Sequence, residues 1–235
     1  DRIESRGLGD VYKRQSEKGG GVSVGAELTD LGVRAAVEHA TVPAGLHERG
    51  IVVVEFFGGI GGLRMSVDRL GVHVICAGYA ETDKDARGVY RRNWPGDIEW
   101  TDVCSVKRPQ LEDLRRACPG AVAVVCAYGP PCQGVSGLNR EGTGLADPRS
   151  ALFFEVPRLQ AEVRTVFFDI PVLDFCENVA SMKVGDAVVM SEALARHPIC
   201  CCASGMSRVA RPRLYWPSFP TVSYTHLRAH ETQSD

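Results

Sequence analysis

Cys132 lies in Ala127-Tyr128-Gly129-Pro130-Pro131-Cys132-Gln133-Gly134, directly after the apolar run Ala121 to Cys126. A Val/Ala run that breaks into Gly-Pro-Pro reads as a buried strand ending in a stiff loop, because proline fixes φ and cannot continue a central ladder. The loop sets a thiol at the carboxyl end of a strand, where open α/β sheets gather ligands and where a thiolate can act as a nucleophile. Most free cysteines are instead small buried hydrophobes, and this loop alone does not separate the two roles. A second group is Gly58-Gly59-Ile60-Gly61-Gly62, after the β-branched and aromatic run Ile51 to Phe57. Glu81 stands about twenty residues beyond those glycines, the offset at which an acidic side chain accepts the hydroxyls of a ribose. Asp102 ends the short segment Asp97 to Asp102. It can accept a hydrogen bond from an exocyclic amine or cap the next turn, and pattern does not choose. Glu177 follows the run Val172 to Cys176 and brings a second acid to the sheet edge that holds Cys132. Arg211 and Arg213 lie in a basic stretch running into Leu214-Tyr215-Trp216, which a plain cationic surface would equally explain.

The elements that must position these groups follow from periodicity. Ile51 to Phe57 predicts a strand buried on both faces. Leu63, Val67 and Leu70 mark one face of a helix ending at Gly71. Val72 to Ala80 predicts a second strand, and Asp83 caps a helix through Ala86, Val89 and Tyr90 that Pro95 stops. Asp97 to Asp102 predicts a third strand. Ser136 to Gly144 is polar and glycine-rich, as a mobile lid would be. Leu152-Phe153-Phe154-Glu155 opens a helix with Pro157 in its first turn. His197-Pro198-Ile199 leads into Cys200-Cys201-Cys202, which lacks the spaced pairs of a zinc site and reads as part of a buried strand. Strands alternating with helices predict an α/β fold with a mostly parallel central sheet flanked by helices.

Composition narrows the partners. The chain has 235 residues, of which 44% are hydrophobic and 24% charged, enough for a globular core. Its net charge of −2 carries no overall basic signature, so a nucleic-acid partner must be argued from a site. Nine unevenly spaced cysteines, with no leader and no apolar run of membrane-crossing length, predict a reduced, intracellular protein without a membrane partner.

Both ends are set apart. One back-translation of Val222 to Glu231, reverse-complemented and read in another frame, encodes Ser5 to Arg14. An inverted repeat of that kind predicts that residues 1–15 and 222–235 are a non-native leader and tail from a sequencing adapter. Residues 16–49 then read as a linker or short helix, with Ala26 to Ala40 open to a surface helix or to disorder, and residues 50–221 as the catalytic core.

In order, Phe57-Gly58-Gly59-Ile60-Gly61-Gly62, Glu81, Asp102, Pro130-Pro131-Cys132-Gln133, Leu152-Phe153-Phe154-Glu155, Glu177-Asn178-Val179 and Arg211-Pro212-Arg213 resemble the cytosine-C5 methyltransferases of DNA and RNA. The resemblance spans Ile51 to Phe219, and the Pro-Pro-Cys-Gln and Glu-Asn-Val elements in that order are highly specific. The short segment between Glu177 and Arg211 and the Arg-Leu-Tyr-Trp ending are most similar to the eukaryotic de novo DNA methyltransferases. Val209 departs from the pattern, since many members carry Gln there, and Pro157 and Pro212 are unusual beside functional segments.

The resemblance implies a Rossmann-like, S-adenosylmethionine-dependent methyltransferase fold. It implies Cys132 as the nucleophile, Glu177 on the cytosine N3 edge, and Arg213 with Arg211 on the base's O2 and the phosphate. For S-adenosylmethionine it implies Phe57 stacked on the adenine, Glu81 on the ribose, Asp102 and the Val103 backbone on the adenine amine, and Gly59 and Gly61 beside the methionine end. It requires no metal. The implied partner is DNA with a base flipped from the duplex. RNA is the alternative, an oligomer with related methyltransferase chains a further expectation, and the nucleus the location if the source is eukaryotic. A tRNA methyltransferase and a non-catalytic scaffold are the competing readings. The target-recognition region and the final cofactor segment of the family are expected to be missing from this stretch.

Overall fold

The computed structural model describes residues 49–205 and 208–221. The expected terminal leader and tail and the expected helix over Ala26 to Ala40 lie outside those residues. Seven strands form one sheet: β1 (Ile51–Phe56), β2 (Val74–Ala80), β3 (Ile98–Trp100), β4 (Val124–Tyr128), β5 (Val172–Val179), β6 (Ile199–Cys202) and β7 (Pro212–Pro217). Their order is β3-β2-β1-β4-β5-β7-β6. The first five are parallel, whereas β7 runs antiparallel between β5 and β6. The order reverses between β1 and β4, the switch point at which such sheets open a ligand crevice.

Helices α1 (Gly62–Arg69), α2 (Lys84–Asn93), α3 (Arg108–Ala117), α4 (Glu155–Val166) and α5 (Val184–Leu194) flank the sheet. The larger core joins Val52, Val54, Phe56, Val124, Cys126 and Tyr128 of the sheet to Leu111, Leu114, Leu159, Val163 and Met190 of α3, α4 and α5. A smaller core lies on the other face, where Val67 and Leu63 of α1 pack on Ile51, Val53 and Ala77. Asp83 caps α2 as the sequence predicts, accepting from the N–H groups of Asp85 at 2.9 Å and Ala86 at 2.8 Å. Pro157 falls in the first turn of α4, where its missing N–H costs nothing. Asp174 of β5 is wholly buried and held by Arg164 at 2.8 Å and Arg196 at 2.9 Å.

Several sequence expectations are corrected. The cysteine triplet does form a strand, but Cys200, Cys201 and Cys202 are all exposed, because among the described residues β6 lies at the sheet edge and pairs only with β7. The strand expected to end at Cys176 runs on to Val179, since the ladder with β7 continues to the pair Val179 and Arg213. The segment Ser136 to Gly144, expected as a mobile lid, is tied down around its apex. Gly137 N–H donates to Ser181 Oγ at 3.2 Å, Asn139 Nδ2 to the Gln133 carbonyl at 2.9 Å and Gly144 N–H to the Gly134 carbonyl at 3.0 Å. The next residue, Leu145, donates its N–H to Asp186 Oδ1 at 3.1 Å. The apex residue Leu138 is 93% exposed.

No helix among the described residues is long and apolar enough to cross a membrane. No cluster of three or more metal-ligating side chains occurs among them.

Candidate active site

The carboxyl ends of the parallel strands are laced into one edge. Gly58 N–H, just after β1, donates to the Ala80 carbonyl of β2 at 3.1 Å, and Glu81 N–H donates to the Trp100 carbonyl of β3 at 3.3 Å. Gly129 N–H, just after β4, returns to the Phe56 carbonyl at 3.1 Å. Asn178 Nδ2 on β5 donates to the Pro130 carbonyl at 3.3 Å, which fastens the Pro-Pro-Cys loop to the strand bearing Glu177. Cys132 is half-buried in that loop, and its carbonyl accepts from Val135 N–H at 3.2 Å and Ser136 N–H at 2.8 Å.

Glu177 is paired across the β5–β7 ladder. Arg213 Nε lies 2.8 Å from Glu177 Oε1, and both side chains are more buried than exposed. Burial raises the Glu177 carboxyl above its usual range, against the opposing pull of Arg213 and the weaker pull of Arg211. The carboxyl therefore keeps a proton to higher pH than a solvated glutamate. Arg211 is exposed and acts on Glu177 only through its charge.

The glycine loop shows a division of labour that pattern could not reveal. Phe57 takes φ +57°, a left-handed conformation rare for a bulky residue, and turns the chain sharply off β1. Gly59, at φ +55°, has nothing within 4 Å of where a Cβ would stand, so its face is open to a ligand. Gly61, at φ +92°, is different: a Cβ there would come within 2.4 Å of the Trp94 ring. Its small size serves packing between α1 and α2.

Glu81 Oε2 accepts from Gly59 N–H at 2.9 Å, while Oε1 accepts from Thr82 N–H at 2.8 Å and Asp83 N–H at 2.9 Å. Asp102 caps the turn Val103–Ser105 by accepting from Cys104 N–H at 2.9 Å, the second of the two roles open to it from sequence. Val103 is buried, and its carbonyl accepts from Arg158 Nη2 at 3.1 Å, which anchors this turn to α4.

One buried titratable residue escaped the sequence reading. Glu55 of β1 is only 3% exposed, and its carboxyl accepts from the first N–H groups of α1, Leu63 at 2.8 Å and Arg64 at 3.1 Å. Burial outweighs those bonds and pushes its pKa up to about 7. The available signal was a lone acid inside the apolar run Ile51 to Phe57.

Residues 51–188 match the family described as C-5 cytosine-specific DNA methylase. The chain is 32% identical over 133 residues to Type II methyltransferase M.HpaII of Haemophilus parainfluenzae, a stretch covering 57% of this chain and 32% of that protein. It is 29% identical over 164 residues to DNA (cytosine-5)-methyltransferase DRM2 of Arabidopsis thaliana, covering 65% of this chain and 26% of the relative. The chain thus spans about a third or less of the length of these relatives. Among solved structures, the Entamoeba histolytica methyltransferase EhMeth superposes with a TM-score of 0.51 at 23% identity, covering 71% of this chain and 52% of that one. That likeness establishes the Rossmann-like methyltransferase fold.

Proposed function

We propose, since this chain belongs to the C-5 cytosine-specific DNA methylase family, that it is the catalytic part of an enzyme that methylates C5 of cytosine in DNA through a transient bond between Cys132 Sγ and C6. The observation that carries this reading is the Asn178 bond to Pro130, which fastens the Cys132 loop to the strand where Glu177 meets Arg213.

The residues fit S-adenosylmethionine. Gly59 offers an open backbone face, Glu81 and Asp102 present carboxylates just past the ends of neighbouring strands, and Phe57 follows β1 at the same sheet edge. When bound, S-adenosylmethionine supplies an electrophilic methyl group. Cytosine C5 is too poor a nucleophile to accept it unaided. Attack of the Cys132 thiolate on C6 makes C5 enamine-like, and Glu177 places a proton at N3 to absorb the charge that develops on the ring. Arg213 keeps Glu177 oriented toward the base. After C5 is methylated its proton is lost, the bond between sulfur and C6 breaks and the thiolate leaves. The base must first leave the duplex stack, which costs a few kcal/mol. Leu138, an exposed apolar side chain at the loop apex, suits the gap left behind. With a eukaryotic source, the nucleus would be the place of action.

The test is trapping on 5-fluorocytosine oligonucleotides, whose fluorine cannot depart as the C5 proton does. A denaturation-resistant adduct with DNA that disappears in Cys132→Ser is expected. Adduct with tRNA alone would transfer the reading to RNA, and absence of adduct on either would leave a scaffold.

A further inference from the structure

Gly59 is gripped from both sides of its backbone. Glu81 Oε2 accepts its N–H at 2.9 Å, and the Tyr79 hydroxyl donates to its carbonyl. Tyr79 is the next-to-last residue of β2 and Glu81 the first beyond it, and both side chains reach Gly59. Tyr79 is fully buried. Its ring stacks on Tyr90 of α2 with centroids 3.7 Å apart, and Tyr90 leans on Trp94 at 4.7 Å. The stack is keyed to α1 through Asp97, which accepts from Tyr90 Oη at 2.9 Å and Arg64 Nε at 3.2 Å. The Trp94 ring fills the space that a Cβ on Gly61 would need, and the Tyr79 ring does the same at Gly58, 2.8 Å from such an atom.

The two grips on Gly59 differ in what a ligand would do to them. The Glu81 grip is shared: Oε1 already accepts the N–H groups of Thr82 and Asp83 and the Thr82 hydroxyl at 3.4 Å, so a ligand hydroxyl must draw on Oε2, the oxygen that holds Gly59. A ribose hydroxyl that draws on Glu81 competes with Gly59 for the same oxygen. The Tyr79 hydroxyl has no such competitor. We infer that Tyr79 is the positioning residue of the cofactor loop, fixing Gly59 with its open face outward whether or not Glu81 is engaged. This inference rests on the S-adenosylmethionine reading given above. A glycine at positive φ has several accessible conformations, so fixing one in advance removes an ordering cost from binding.

Tyr79→Phe removes the hydroxyl and keeps the stacked ring. Titration calorimetry with S-adenosylhomocysteine should show dissociation about tenfold weaker in this variant. Hydrogen exchange should be faster at the amides of Gly58 to Gly62, with the thermal midpoint kept close to that of the unaltered protein. Unchanged affinity together with unchanged exchange would overturn the inference, since a ring that merely fills space loses nothing in Tyr79→Phe. If the unaltered protein gives no heat with S-adenosylhomocysteine while the variant still exchanges faster, the clamp stands and the cofactor reading falls.

Discussion

Glu55→Gln turns the buried carboxyl into a titration experiment. The wild-type group, with an ordinary pKa of about 4.5, is pushed to about 7 by burial. A group whose folded pKa is raised favours the folded state fully below its unfolded value and loses that advantage as pH rises through the folded value. The shift, at about 1.4 kcal/mol for each pKa unit, makes wild-type folding less favourable by about 3 kcal/mol between pH 4.5 and pH 8. Glutamine has nothing to titrate. It can still accept from one of the two α1 N–H groups through its carbonyl, at the cost of presenting an amide to the other, so α1 should stay in place with a modest uniform loss. The assay is urea unfolding of both proteins at pH 4.5 and at pH 8. Other groups titrate over the same range, so the informative quantity is the pH effect in the wild type minus that in the variant. A value near 3 kcal/mol supports the account. A value near zero refutes it, because it would mean that the bonds from Leu63 and Arg64 already hold Glu55 ionised at low pH.

Removing the guanidinium by Arg213→Met takes away the partner that lowers the Glu177 pKa. The alkaline limb of the pH–rate profile for 5-fluorocytosine trapping should move up, and the rate at neutral pH should fall about a hundredfold. Gly61→Ala drives a Cβ into Trp94 at positive φ and should cost about 2–4 kcal/mol in urea unfolding, against about 1 kcal/mol for Gly59→Ala. Equal costs would contradict the division of labour in the loop. Leu138→Ala should leave stability within about 0.5 kcal/mol of wild type. It should slow trapping on duplex DNA while sparing single-stranded DNA; an equal effect on both would remove Leu138 from base extrusion.

The strand, glycine turn and helix from Ile51 to Arg69, the Asp83 cap and the acid positions were legible because their signals are local: runs, turn residues and spacing. Helix α5 escaped because apolar residues lie all around it, with Met190 and Leu194 buried and Val184 and Val189 exposed, so no stripe marks a face. Helix α3 also went unread, although Leu111 and Leu114 recur at helical spacing behind Pro109 in the first turn. The roles of Glu55 and Tyr79 depend on partners in other elements, which no window of sequence contains. The same is true of the exposed cysteine strand. Its composition is that of a core segment, and only the sheet order reveals that it lies at an edge, exposed among the described residues.

The placing of β7 between β5 and β6 has a consequence for the order of assembly. Strand β6 comes earlier in the chain, yet among the described residues its one sheet neighbour is β7, so its place in the sheet waits until β7 has been made and inserted. Strands β1 to β4 are all complete by Tyr128, while the Glu177 and Arg213 pair waits for β7 to begin. As the chain leaves the ribosome, the sheet edge proposed to hold the methyl donor can take shape before the edge proposed to handle the base is complete.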